Sequence, residues 1–573
     1  MKPASGRRAI GRLYAIRRYF GANLATEKLA LLRSIAESSL LAAADVRRLH
    51  NCLCFMRAFP DNADIRAMVL SLLNNFEDIV AKLSEGQNAR LADSGIAGTD
   101  FHYPFSFEVA SWMAQRFPGV AQIDWKELPD GGHLDELLEH LLEHAESDYF
   151  HGGEVSTEQW LKIATANCPG TSFDWLMAQL AERPQHERFW AALYNAIDLP
   201  LACRLPGNLF SRTGNALPVD KAHYRTGNMQ NRVAFGKREI VRPVPDIRRV
   251  SETEANRILD VARSSLALRH RETDHFNNAN PCEVYVAKVG RGIQVVLNGQ
   301  LPERRDPLEC TLGYLILSNG VPIGYGGASI LFHQANTGVN IFDEYRGSEA
   351  AWLWTQVMRV VHAQTGCNRF IANPYQFGEE NAEALKSGAF WFYYRLGYRP
   401  VDPGIRQLAR SEFRKIEKRK GYRSSAATLK ELATCDMHLT LPGARQSQLF
   451  DESWIEVSAR LATATLADTQ QVSRKKALDA VVSKVMTSLG VRTSLNWPEQ
   501  EKLAFTRFCP IIATIDMSGW KKRERQALLQ LMRAKGGDLE IEYARQLRDH
   551  ERLFSQLKSR CRRAAGPAGK EVR

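Results

Sequence analysis

No apolar run in this chain approaches the ~20 residues that a bilayer-spanning helix requires, so the sequence offers no helical membrane span. Cysteine is sparse and scattered. Of the ten, only Cys52 and Cys54 lie close together. Two residues apart on a helix they face different sides, and no second close pair completes a zinc site. They read as reduced thiols of a cytoplasmic protein. No internal repeat and no low-complexity tract is present, which excludes a solenoid. A phosphate loop is also missing: the small-residue run Ser94 to Thr99 has no lysine and the wrong spacing, and reads as a connection between helices. Acidic residues are absent before Glu27, whereas Arg7, Arg8, Arg12, Arg17 and Arg18 fall in that stretch. Serine is scarce there, so a basic first helix is the better reading than an organelle leader.

What is present fits a globular protein of several domains. The chain has 573 residues, 44% hydrophobic and 24% charged, with a formal net charge of +12. That length suggests three or four domains. The positive balance is compatible with a polyanion as partner. Residues 1–203 read as a mainly α-helical region, with Ile65, Val69, Leu72, Leu73 and Phe76 on one stripe and Asn62 as its cap. His140-Leu141-Leu142-Glu143-His144 matches an inverted zinc-protease pattern. Its surroundings, Asp135, Glu136, Glu139 and Glu146, read instead as an exposed acidic helix without a third ligand, so no metal is expected. Residues 204–245 carry many breakers, among them Pro206-Gly207, Thr226-Gly227-Asn228 and Pro243-Val244-Pro245, and form either a linker or a strap. Ser251 to Glu254 has the capping-box pattern and opens a helix. Residues 406–573 read as a basic helical region, with Arg410, Arg414, Lys415, Lys418, Arg419, Lys420 and Arg423 close together. A solvated helix face and a polyanion-binding patch are both open there. The tail from Lys558 reads as disordered.

Between these regions, residues 246–405 mix strands and helices. Glu283 to Ala287 and Ile293 to Leu297 have strand composition. Asn319-Gly320 separates two apolar runs, the pattern of a type I′ hairpin. Val339 to Phe342 is short enough for a buried strand. Ala350, Leu353, Trp354, Val357, Val360 and Val361 recur at helical spacing, and Gly366 is a stop. Arg369 to Ala372 is another strand. A loop from Gln376 to Ser387 leads to the aromatic segment Gly388 to Tyr394, which Gly397 ends. Gly324, Gly326 and Gly327 suggest a small cavity against one strand, open to substrate.

This order of elements resembles the core of the GNAT acyltransferase superfamily, over about residues 280–402. The stretch Arg346-Gly347-Ser348-Glu349-Ala350-Ala351 parallels the family's phosphate-binding loop at Arg346 and Ala351, with Glu349 where the family has glycine. Ala389, Tyr393, Gly397 and Tyr398 parallel a second motif, in which Lys386 replaces asparagine. The fold class implied is α+β multidomain: a GNAT-like mixed α/β domain between helical regions. The resemblance implies acetyl-coenzyme A or another acyl-coenzyme A as cosubstrate and a small-molecule or peptide amine as acceptor. It implies carrier contacts at Ile341, Phe342, Arg346, Gly347, Ser348, Ala350 and Ala351, with Tyr393 protonating the leaving thiolate and Asp343 or Glu344 as base. The other reading, from a different class, is a catalytically inactive scaffold or regulator with a basic polyanion-binding face. Glu349 is the residue on which the two readings divide. A carboxylate ~5 Å from a pyrophosphate repels it by about 3 kcal/mol at an effective dielectric of ~20.

Overall fold

A computed structural model describes residues 3–38, 42–128, 133–153, 155–183, 187–227, 229, 236–347 and 349–565. Its centre is a ten-stranded mixed sheet. A separate three-stranded sheet, β1 (Asp100–His102), β2 (Ala121–Ile123) and β3 (Leu201–Arg204), belongs to the N-terminal region. The strands of the large sheet are β4 (Ile247–Arg249), β5 (Ala279–Gly290), β6 (Ile293–Gln300), β7 (Cys310–Ser318), β8 (Val321–Leu331), β9 (Gln334–Thr337), β10 (Asn340–Ile341), β11 (Arg369–Ala372), β12 (Arg399–Pro400) and β13 (Met437–Thr440). From β4 to β9 each strand pairs antiparallel with the next. β9 then pairs in parallel with β11, and β13 sits antiparallel between β11 and β12.

Local chemistry explains the joints. Asn319 and Gly320 both have positive φ, 46° and 76°, as a type I′ turn requires, and β7 and β8 pair directly across them. The helix Ala350–Thr365 carries the chain from β10 to β11, and Gly366 closes it in the left-handed conformation. Side chains alternate between the two faces of the sheet. Gly313 and Gly327 lie under His275, while the neighbouring Tyr314 packs on Trp354 at 6.3 Å.

The N-terminal region divides between two cores. Residues through about Ile96 share one apolar core with the large sheet and the C-terminal helices. Phe101, Trp112, Trp160, Phe173 and Tyr194 belong to a second core around the small sheet. The helix Ala43–Ala58 ends on the β7–β8 hairpin, where Ser318 Oγ and Asn319 Nδ2 donate to the Ala58 carbonyl at 2.7 and 2.9 Å. Residues after Arg204 form a strap across the sheet end: Leu217 N–H donates to Gly320 O, and Arg225 N–H to Pro60 O.

Several expectations change. The run Val339 to Phe342 contributes only two strand residues. The loop before the aromatic helix contains the helix Ala382–Ser387. The chain stays helical from Glu551 to Ala565, past Lys558, because Leu553, Leu557 and Cys561 bury one face. His140 and His144 do not share a helical face: the helix stops at Glu139, and His144 opens a separate turn. Glu254 completes no capping box and pairs with Arg248 at 2.6 Å.

Candidate functional site

β9 and β11 pair only from Gln334 to Asn336. Beyond that point the chain leaves the ladder at Gly338 and Val339, and β10 pairs with β8. The ladder is broken between β10 and β11, which leaves a gap in the strand pairing. Phe342 N–H donates to Ile323 O at 3.0 Å, so strand alternation turns Ile341 N–H and C=O away from β8, into the gap. Arg346 Nε donates to that Ile341 carbonyl at 3.3 Å.

Tyr393 approaches the same gap from the helix Ala389–Arg395. It is buried among Phe377 and Tyr398. Burial raises its phenol well above the ordinary value, and a backbone hydrogen bond from Val339 acts in the opposite direction. Tyr314 donates to the Gly338 carbonyl. The Gln376 side chain packs on Gly338 so closely that a Cβ there would overlap it. The glycines of β8 leave no open space. Cβ atoms on Gly324, Gly326 and Gly327 would strike Ile341, Tyr314 and His275 respectively. The cavity expected from those three glycines is therefore filled by the protein's own side chains.

The helix Ala350–Thr365 begins beside this gap. Arg346 and Gly347 are exposed, and Ala350 and Ala351 half-buried. Ser348 lies outside the described residues. Arg18, from the first helical turn-back, donates to the Arg346 carbonyl and lies against Gly347. Arg346 pairs with Glu383 and, at 3.0 Å, with Asp343. Glu349 does not face the loop. It is 2% exposed, and its carboxylate is held by Arg225 at 2.9 Å and by Arg291. It makes no side-chain cap to its own helix. Its charge is neutralised inside the protein, so the repulsion expected between Glu349 and a phosphate does not arise in this geometry.

Ile341, Phe342, Asp343, Glu344 and Arg346 also border a cavity of about 390 Å³. Its other walls come from elsewhere in the chain: Arg47 and Asn51, the Ala92–Ser94 loop, Arg212 of the strap, and Leu268 to Arg271. Glu344 forms part of its floor. Arg269 donates to it and Arg212 lies 3.1 Å away. Burial opposes ionisation of Glu344, but these two guanidiniums outweigh it and hold the carboxyl far below the usual range. A carboxylate fixed in this way is a weak base. Asp343, by contrast, is 81% exposed at the side chain. Arg269 also stacks over Phe342 at 4.0 Å, and Phe342 on Tyr325 at 5.4 Å. Behind Arg212, the fully buried His50 bonds Thr213 Oγ1 at 3.0 Å. Burial, then Arg212 and Arg57, keep that imidazole neutral.

The structure thus gathers Ile341, Phe342, Asp343, Glu344 and Arg346 around one cavity. It puts Tyr393 against Val339, and Gly347, Ala350 and Ala351 at the helix start. Sequence reading missed Arg47, Asn51, Arg212, Arg269 and Arg271. The only local signal was the Arg269-His270-Arg271 run after a helix. Comparison with family models, with curated proteins and with solved structures finds no match.

Proposed function

We propose that the protein is an N-acyltransferase that moves an acyl group from acyl-coenzyme A, or another acyl carrier, to an amine. The observation that carries this reading is the gap between β10 and β11, with the Ile341 N–H turned into it and Tyr393 beside Val339. An extended carrier arm lying there gains a strand-like hydrogen bond from Ile341. Its phosphates reach the N–H groups at the start of the Ala350–Thr365 helix, with Arg18 and Arg346 alongside. The amine nitrogen attacks the thioester carbonyl, the C–S bond breaks, and the thiolate takes the Tyr393 phenol proton. The proton lost by the amine passes to Asp343 or to water. Glu344 orients Arg212 and Arg269 and takes no proton.

A second reading rests on one observation of its own. Arg410, Arg414 and Lys418 are exposed at i, i+4 and i+8 on the helix Pro403–Lys418. This makes a continuous basic stripe suited to a polyanion, as in a non-catalytic scaffold. Calorimetric titration of the full chain with coenzyme A and with heparin separates the two. Saturable coenzyme A binding is expected. Salt-sensitive heparin binding without coenzyme A binding would overturn the acyltransferase reading.

A further inference from the structure

The cavity beside Glu344 has an uneven charge balance. Five arginines line it, Arg47, Arg212, Arg269, Arg271 and Arg346, against the acids Asp93, Asp343 and Glu344. Every acid already has a partner within the protein. Glu344 takes Arg212 and Arg269, Asp343 takes Arg346, and Asp93 accepts the His102 backbone N–H at 2.8 Å. Arg47 and Arg271 are left without an ion pair, although Asp343 and Glu383 attract Arg271 from farther off. Neither has a carboxylate within ion-pair distance among the described residues. Each is exposed and, among the described residues, uses a guanidinium N–H once: Arg47 to the Arg90 carbonyl at 2.7 Å, Arg271 to Tyr325 Oη at 3.3 Å. A guanidinium carries five donors in a planar fork suited to a carboxylate or phosphate. Deeper in the same walls, the Nε–H groups of Arg212 and Arg269 are buried with no acceptor among the described residues.

We infer that this cavity binds a small molecule bearing a carboxylate or phosphate, gripped between Arg47 of the N-terminal helical region and Arg271 of the central domain. Its size admits a small metabolite. Where this rests on the acyltransferase reading, the ligand is the acceptor: an amine that also carries an acidic group, its nitrogen near Asp343 and its acid against Arg47 and Arg271. The site also gives the N-terminal helices a role, because one wall is theirs.

The test is calorimetric titration of the full chain with inorganic phosphate, in chloride buffer without any carrier. Millimolar binding is expected, weakened about tenfold or more in both Arg47→Gln and Arg271→Gln, the scale of one charged hydrogen bond. Both side chains are exposed, and unchanged melting curves confirm that the variants fold. Lys288→Gln, at the β5 end of the sheet, serves as the control and should bind as the native protein does. Phosphate binding that is absent from the native chain, or equal in all four proteins, overturns the inference. Phosphate binding lost in the two arginine variants, in a protein that fails to bind coenzyme A, overturns the acyltransferase reading and supports the anion site.

Discussion

At the scale of single residues, buried charge decides what this site can do. Tyr393 contributes a hydroxyl to an otherwise apolar, aromatic environment. Tyr393→Phe keeps the ring packing and removes only the proton donor. Turnover of an acyl-coenzyme A substrate is expected to fall roughly 10²-fold, the usual scale of a positioned acid, with coenzyme A affinity unchanged by calorimetry. Full turnover would return Tyr393 to a packing role. Glu349 illustrates the opposite case. On the acyltransferase reading it stands where a phosphate-binding loop would have glycine, yet its carboxylate is turned inward between Arg225 and Arg291. Glu349→Ala leaves the Arg225 guanidinium, 3% exposed, without its counter-ion. A loss of about 3–5 kcal/mol in urea unfolding is expected, the scale for breaking a buried pair. No loss would mean that the carboxylate lives in solvent, where it would repel phosphate after all.

At the scale of elements, the docking of helices onto the sheet has a pH signature. Glu452 precedes the helix Ser453–Ala467 and accepts from Asn336 Nδ2 of β9 at 2.8 Å. Burial, then Asp436, pushes its carboxyl up from 4.5 to about 7. Between those values the folded chain keeps a proton that the unfolded chain has released. Stability contributed at this site is therefore present below about pH 4.5 and lost as pH rises to about 7. Glu452→Gln retains an acceptor for Asn336 and cannot ionise. It should be more stable than the native protein above pH 7 by about 1 kcal/mol, allowing for screening at a half-buried site. The two should converge near pH 4, as followed by thermal melts across that range. Equal melting at every pH would place Glu452 in solvent.

At the scale of the whole molecule, the central sheet does not close its own core. The helices before Ile96 and those after Phe450 belong to the same apolar cluster as the sheet. Phe59 meets Tyr345 at 6.5 Å, and Tyr543 donates to Leu308 O at 2.5 Å. Glu283 on β5, 0% exposed, accepts the N–H groups of Glu540 and Ile541 at the start of a C-terminal helix. Removing both flanks would bare these apolar and polar surfaces together. Residues 246–441, which include all ten strands of the sheet, should be insoluble when expressed alone, or lack a cooperative melt and near-ultraviolet circular dichroism. A soluble fragment with a sharp melt would show that the sheet is self-sufficient.

The sequence by itself determined the elements whose signals are local. Asn319-Gly320 set the hairpin, because only such residues accept two successive positive φ values. Gly366 ended its helix for the same reason, and the helical spacing of Ala350 to Val361 marked the crossover between parallel strands. It also pointed to residues 341 to 346, which fall together on one short segment. Tertiary structure alone decided where Glu349 points, since its partners lie 124 and 58 positions earlier in the chain. It alone filled the space over Gly324, Gly326 and Gly327, and it alone brought Arg47, Arg212 and Arg271 to one cavity. No periodicity or short motif records such contacts. The charge on a guanidinium has no direction in sequence, and the packing that buries or exposes it is fixed only when distant segments meet.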